Sequence, residues 1–95
     1  ADAFAGRPVF GADFQIAPAL HQPLETRTAT AAPEGGRIRL WVATQAPGFC
    51  RAAVAAALDI PESQLSLFAM PGGGSFGIAM EHEVAIQAAL IARAI

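Results

Sequence analysis

The sequence predicts an α+β fold: a small two-layer domain in which a mixed sheet, built from a hairpin and a βαβ crossover, carries two helices on one face. Arg37 to Ala43 sets Ile38, Leu40 and Val42 against Arg37 and Arg39, the period of a half-buried strand. Pro47 to Leu58 and Glu81 to Ile95 instead repeat their apolar residues at helical spacing. Turn-forming clusters rich in glycine and proline separate these segments.

Taken in order, Pro8 to Ala17 places Val9, Phe10, Phe14 and Ile16 among small or polar residues, which reads as a strand interrupted by Gly11. Pro18 and Pro23 bracket a loop. In Leu24 to Ala32, Thr26, Thr28 and Thr30 recur at period two and would share one strand face. The turn Pro33-Glu34-Gly35-Gly36 reverses the chain, so this strand and Arg37 to Ala43 are expected to pair as a hairpin.

Pro47 suits the first turn of a helix, where no backbone donor is missed. That helix should run to about Leu58, with Cys50, Val54, Ala57 and Leu58 on its apolar face and Pro61 ending it. Gln64 to Met70 comes next as a short strand whose Leu65, Leu67 and Ala69 face one way. Strand, helix and strand in that order make a crossover, with parallel strands and a right-handed connection. In the last helix Val84, Ala88, Ile91 and Ile95 form one stripe, while Ile86 and Leu90 lie off it, so the helix is expected to be buried on nearly all sides. It reaches the last residue with no glycine cap or polar tail, and residues 1–95 are read as one domain that is a fragment of a larger region.

Composition narrows the classes. Hydrophobic residues make up 54% and charged residues 15% of the 95, against about 25% charged in an average soluble domain, so something besides water is expected to cover part of the surface. Alanine supplies much of that excess, and no run reaches the roughly 18 to 20 apolar residues of a membrane span. Ala1 to Phe10 holds Asp2, Arg7 and Pro8 where a secretory signal would need an unbroken apolar core. A net charge of −2, with arginine the sole cation, gives no footprint for nucleic acid. One cysteine excludes an internal disulfide and leaves the compartment undetermined.

Gly72-Gly73-Gly74-Ser75-Phe76-Gly77 lies directly after a strand and before a helix, the placement that brings backbone amides onto an anionic group. Its spacing is not that of the dinucleotide fingerprint, and no Gly-Lys-Ser or Gly-Lys-Thr succeeds it as in a P-loop. The plainer alternative is a flexible connection that only turns the chain.

Several landmarks in order carry a resemblance: Pro23-Leu24-Glu25-Thr26-Arg27, then Thr44-Gln45-Ala46-Pro47, a helix, Leu58-Asp59-Ile60-Pro61, and the loop Gly73-Gly74-Ser75-Phe76-Gly77. From about Leu20 to Ile95 the chain resembles the large subunit of molybdenum hydroxylases, the xanthine dehydrogenase and aldehyde oxidase family. Within that family it is most similar to the branch of the isoquinoline 1-oxidoreductase β subunit and membrane-associated aldehyde dehydrogenase. The resemblance implies a fragment of a molybdopterin-binding region. Gln45 would lie beside the molybdenum oxo ligand and donate from its side-chain amide, and Gly73, Gly74, Phe76 and Gly77 would line the pterin and the metal pocket. It further implies hydroxylation of an aldehyde or N-heterocycle with oxygen from water, and electron transfer to an iron-sulfur subunit. In such chemistry the protein supplies positioning and electrostatics and the cofactor does the redox work. A second reading of Gln45 is a residue at the helix start that satisfies loop amides.

The sequence also departs from that pattern. Ser75 stands where a third glycine is usual, which restricts the backbone torsions. Ile78-Ala79 replaces the usual Arg-Arg or Gly-Lys, so a basic partner for the anionic cofactor is absent there. The family's catalytic glutamate would lie beyond this region, so no catalytic residue is assigned in the chain and it is expected to be inactive alone.

The remaining candidates are structural. Cys50 reads as a buried thiol, and His21 as isolated. Glu81-His82-Glu83 points in three directions around a helix and forms no metal site, its acids favouring the helix dipole instead. Trp41 is expected to pack into a neighbouring layer. Three functional classes stay open: part of an assembled molybdopterin oxidoreductase, whose partners would be the remainder of the large subunit and an iron-sulfur subunit; a non-catalytic stand-alone binding module; and an unrelated phosphate-binding domain. Through the last helix the chain is expected either to self-associate in isolation or to bind the remaining large-subunit polypeptide.

Overall fold

The computed structural model describes Gly6, Pro8 and residues 11–95. Strand β1 (Ala29–Glu34) pairs antiparallel with β2 (Arg37–Val42), and β2 pairs parallel with β3 (Leu65–Ala69), giving the order β1-β2-β3. Helix α1 (Pro47–Leu58) makes the crossover, and α2 (Glu83–Ala94) comes after the glycine loop. The α+β class, the hairpin and the parallel crossover are as the sequence predicts.

Register explains the two faces of the sheet. Ala31, Leu40 and Leu67 are paired partners on one face, and Thr30, Trp41 and Phe68 on the other. Ile38, Leu40, Val42 and Leu65 on the first face join Cys50, Val54 and Leu58 of α1 and Ala85 and Ala89 of α2 in one core. Both helices cover this face, whose aliphatic side chains form the core, while the other face carries Arg37, Arg39 and the Trp41–Phe68 pair. The hairpin turns on Gly35 and Gly36, both at positive φ (56° and 79°), the two-residue geometry whose twist matches the strands.

Several local expectations are corrected. Residues 11–17 form no strand, and Phe14 and Ile16 are exposed, while Val9 and Phe10 lie outside the described residues. An alternating run needs a neighbouring edge to pair with, and none of the described strands takes it. β1 begins at Ala29, so Thr26 and Thr28 precede the sheet. In α1 the buried fourth residue is Ala55, and Ala57 is exposed. Pro61 does not itself end this helix: Asp59 takes the left-handed conformation (φ 52°) and Ile60 N–H donates to Ala55 O at 3.1 Å, closing a Schellman-type cap. The Arg93 guanidinium also donates to Leu58 O at this end.

The largest correction concerns α2. It buries Ala85, Ala89 and Ala92 and exposes Leu90, Ile91 (63%) and Ile95 (97%), rather than being covered all round. Methyl side chains let the helix lie close to the sheet, Val84 and Ile86 pack at the edge of the core, and Leu90 and Ile91 are left on the far side. Trp41 is likewise not inside a further layer: it stacks on Phe68 (5.4 Å between centroids), with the Arg39 guanidinium over both rings, on the open sheet face.

Candidate functional site

The two parallel strands end side by side, and the segments leaving their C-terminal ends form the site. Met70 N–H still donates to Val42 O (3.0 Å), after which Ala43–Gln45 turns toward α1 and Pro71 onward enters the glycine loop. A cleft of about 270 Å³ opens between them, lined by Gln45, Thr44, Gly72, Gly74 and Ser75, with Ile78 and Val84 as its apolar part. Its remaining wall is the segment 23–28, which contributes Glu25, Thr26, Arg27 and Thr28.

Hydrogen bonds hold this corner together. Leu24 N–H donates to Gly73 O (3.0 Å), and Gly73 N–H donates to Glu25 Oε1 (2.7 Å). The approach is tight: a Cβ on Gly73 would stand 3.1 Å from Leu24 Cβ and 3.2 Å from Glu25 Cγ, and one on Gly72 would stand 3.2 Å from Ala43 Cβ, so the neighbours would have to give way slightly. Farther along, Arg27 donates to both the carboxylate and the carbonyl of Glu81, each at 2.6 Å. From the opposite side the Thr44 hydroxyl donates to Ala79 O (3.2 Å) and accepts from Ala46 N–H (3.2 Å). The loop is thus tied at Gly73, Ala79 and Glu81.

The structure brings Gln45 and Gly74 to the cleft. Gly73 lies against the 24–25 segment, with its amide engaged by Glu25, and Phe76 turns to stack on His21 (5.1 Å, 6° between planes). His21 is therefore not isolated. Phe76 holds a positive φ of 47°, unusual for an aromatic residue, and Gly77 adopts 90° before the 3₁₀ turn Ile78–Met80. Neither Phe76 nor Gly77 is among the residues lining the cleft.

Sequence reasoning finds no role for Glu25, Arg27, Thr28 or Thr44. Glu25 and Arg27 stand inside the Pro-Leu-Glu-Thr-Arg stretch that helps carry the family resemblance, so a signal is present, but nothing in the spacing ties that stretch to a loop 48 positions away. Arg27 is a basic side chain in the lining of this cleft, with its guanidinium paired to Glu81. Glu81 pairs with Arg27, Glu83 lies in the exposed first turn of α2, and His82 Nδ1 is buried without a partner among the described residues. No group of three or more metal-capable side chains occurs among the described residues. Cys50, 1% exposed, has its thiol pKa raised from 9.0 by burial, as expected of a structural thiol. No helix among the described residues is long and apolar enough to cross a membrane.

A glycine-rich loop, a carboxamide, four hydroxyls, a glutamate and an arginine around a cleft at the strand ends define a small ligand-binding α+β domain. Residues 1–95 match the family model of the molybdopterin cofactor-binding domain, and the chain belongs to that family. Its role is accordingly molybdopterin binding in an oxidoreductase. No curated protein gives a significant match to the chain.

Proposed function

We propose that this chain is one wall of the molybdopterin site of a molybdenum hydroxylase large subunit, of the isoquinoline 1-oxidoreductase β subunit or membrane-associated aldehyde dehydrogenase type. The observation that carries this reading is the convergence of Gln45, Gly74 and Ser75 on one cleft in a chain matched by that cofactor family throughout. The lining fits the group: hydroxyls of Thr28, Thr44 and Ser75 and the Gln45 carboxamide can meet the donors and acceptors of a pterin, and Arg27 can meet its anionic part. At about 270 Å³ the cleft falls short of the roughly 300 to 1,000 Å³ that encloses a drug-sized ligand. The remaining walls come from the rest of the large subunit.

When bound, the group supplies the redox chemistry for hydroxylating an aldehyde or N-heterocycle. The chain's part is to bind and orient: Gln45 donates from its carboxamide toward the metal end, and the loop at Gly72–Ser75 sets the distance of approach. Gly73, Phe76 and Gly77 act by fixing that loop. An iron-sulfur partner would take up the electrons of that chemistry, and the exposed Leu90, Ile91 and Ile95 are the surface that the rest of the large subunit covers. In isolation the chain covers them with a second copy, which Ile91→Glu should abolish in sedimentation; a chain already monomeric before substitution removes this part of the proposal.

The test of the whole reading is fluorescence titration of the full chain with molybdopterin released from a molybdenum enzyme. Binding is expected, weakened about tenfold by Gln45→Ala through loss of one well-placed hydrogen bond. No binding by the chain, alone or assembled with its large subunit, would overturn the proposal. The purified chain is expected not to oxidise aldehydes with an artificial acceptor, and measured turnover would overturn that expectation.

A further inference from the structure

The Gly73 amide is the loop donor that a ligand's anionic group would be expected to take, because it sits in the glycine run between a strand and a helix. In the structure it is already taken: it donates to Glu25 Oε1 at 2.7 Å, and Leu24 N–H answers by donating to Gly73 O at 3.0 Å. Glu25 also lines the cleft, so its negative charge stands beside the same stretch of loop. A second side chain from the same segment, Arg27, lines the cleft too and holds Glu81 at the far end of the loop.

We propose that Glu25 is the specificity-determining latch of this cleft: its carboxylate holds the Gly73 amide and keeps an anionic ligand group away from it. This rests on the reading of the cleft as a molybdopterin site and adds a constraint on how the cofactor lies. Its phosphate cannot share the Gly72–Gly73 end with a carboxylate, since like charges at hydrogen-bonding range repel. Instead that end faces a group rich in N–H donors, and the anionic part lies toward the Thr28 hydroxyl and the N–H groups of Arg27 that Glu81 leaves free. The close packing at Gly73 belongs to the same device, because a side chain there would press on Leu24 and Glu25, the two residues that carry the pair of hydrogen bonds.

Amide exchange and chemical shifts of the ¹⁵N-labelled full chain test this, with inorganic phosphate as the anionic probe. In the unsubstituted chain the Gly73 amide should exchange slowly and its shift should not move with phosphate. In Glu25→Ala it should exchange at least about tenfold faster, the loss of one charge-assisted hydrogen bond, and should now respond to phosphate together with Gly74. Glu25→Gln keeps an acceptor without charge and should fall between the two. Should Glu25→Ala fail to fold, the comparison of Glu25→Gln with the unsubstituted chain decides alone. Exchange at Gly73 unchanged in both variants, or a phosphate response at Gly73 in the unsubstituted chain, overturns the latch. The full pattern in a chain that takes no molybdopterin keeps the latch and removes the cofactor reading.

Discussion

The sheet-helix interface and the glycine-loop corner are joined through the ends of β2 and β3, yet opposite forces hold them. In the interface Leu40, Val54, Cys50, Leu58 and Ala85 are closed to water, and among the described residues no polar or charged side chain is buried with them. In the corner Leu24, Met70, Phe76 and Met80 stay exposed, and the loop is set by polar ties at Gly73, Ala79 and Glu81. Burial is non-directional and grows with area, whereas a hydrogen bond near water contributes little net free energy and fixes a direction. Stability is thus concentrated in the interface, and the corner is free to be shaped for a ligand.

The largest effect should come from breaking the interface. Leu40 is fully buried at the centre of β2, between Ala31 and Leu67 and under both helices. Leu40→Ala should cost about 2 to 5 kcal/mol, against the roughly 5 to 15 kcal/mol that domains have in total. Urea unfolding would measure it, and a loss below about 1 kcal/mol would mean that the interface is not where stability lies.

Cys50 probes the same interface by pH. Burial raises its pKa above 9.0, so the folded state favours the protonated thiol. The resulting stability is fully present below the unfolded-state value and is lost as pH rises past 9.0 through the folded value. Unfolding monitored from neutral to alkaline pH should therefore show a decline that Cys50→Ala does not share. Alkylation at neutral pH should also be slow until the chain is unfolded, and rapid labelling of the native chain would contradict the closed core.

Legibility in the sequence divides along the same line. Ile38, Leu40 and Val42, the Gly35-Gly36 turn and Pro47 each state their structure locally, through period or backbone geometry, and the elements they specify form as expected. Motif resemblance singles out Gln45, Gly73, Gly74, Phe76 and Gly77, and of these Gln45 and Gly74 line the cleft. Glu25 and Arg27 are not singled out, because their partners Gly73 and Glu81 are brought to them only by the fold. The α2 face misleads for a related reason. Hydropathy favours Ile91 and Ile95 as the buried residues, but the fully buried positions of α2 are alanines 85, 89 and 92, with Val84 and Ile86 packed beside them at the edge of the core.

A gain of stability should come from the end of α1. Asp59 adopts φ 52°, a conformation that disfavours a side chain, and its carboxylate lies at the negative end of the helix dipole. Asp59→Gly removes both penalties against the larger unfolded-state entropy of glycine, and should stabilise by up to about 1 kcal/mol, read as a raised midpoint in urea. A lowered midpoint would show that the Asp59 side chain makes a contribution larger than its strain.

The smallest global effect, and the sharpest test of the division, is expected at Arg27. Its guanidinium makes two hydrogen bonds of 2.6 Å to Glu81, but the pair is wet: the side chains are 28% and 63% exposed. Screening by water limits such a pair to under about 1 kcal/mol, so Arg27→Ala should move the unfolding midpoint far less than Leu40→Ala does. Direction is what the pair supplies, and direction is what should be lost. Once the Glu81 carbonyl is released, the turn Ile78–Met80 keeps only its own bonds and the two from Thr44 and Gln45 to Ala79, so amide exchange from Ser75 to Glu81 should quicken while β2 and α1 stay protected. An Arg27→Ala chain destabilised as much as Leu40→Ala would place the corner inside the cooperative core. Unchanged exchange along the loop would instead mean that the ties at Gly73 and Ala79 suffice to hold it.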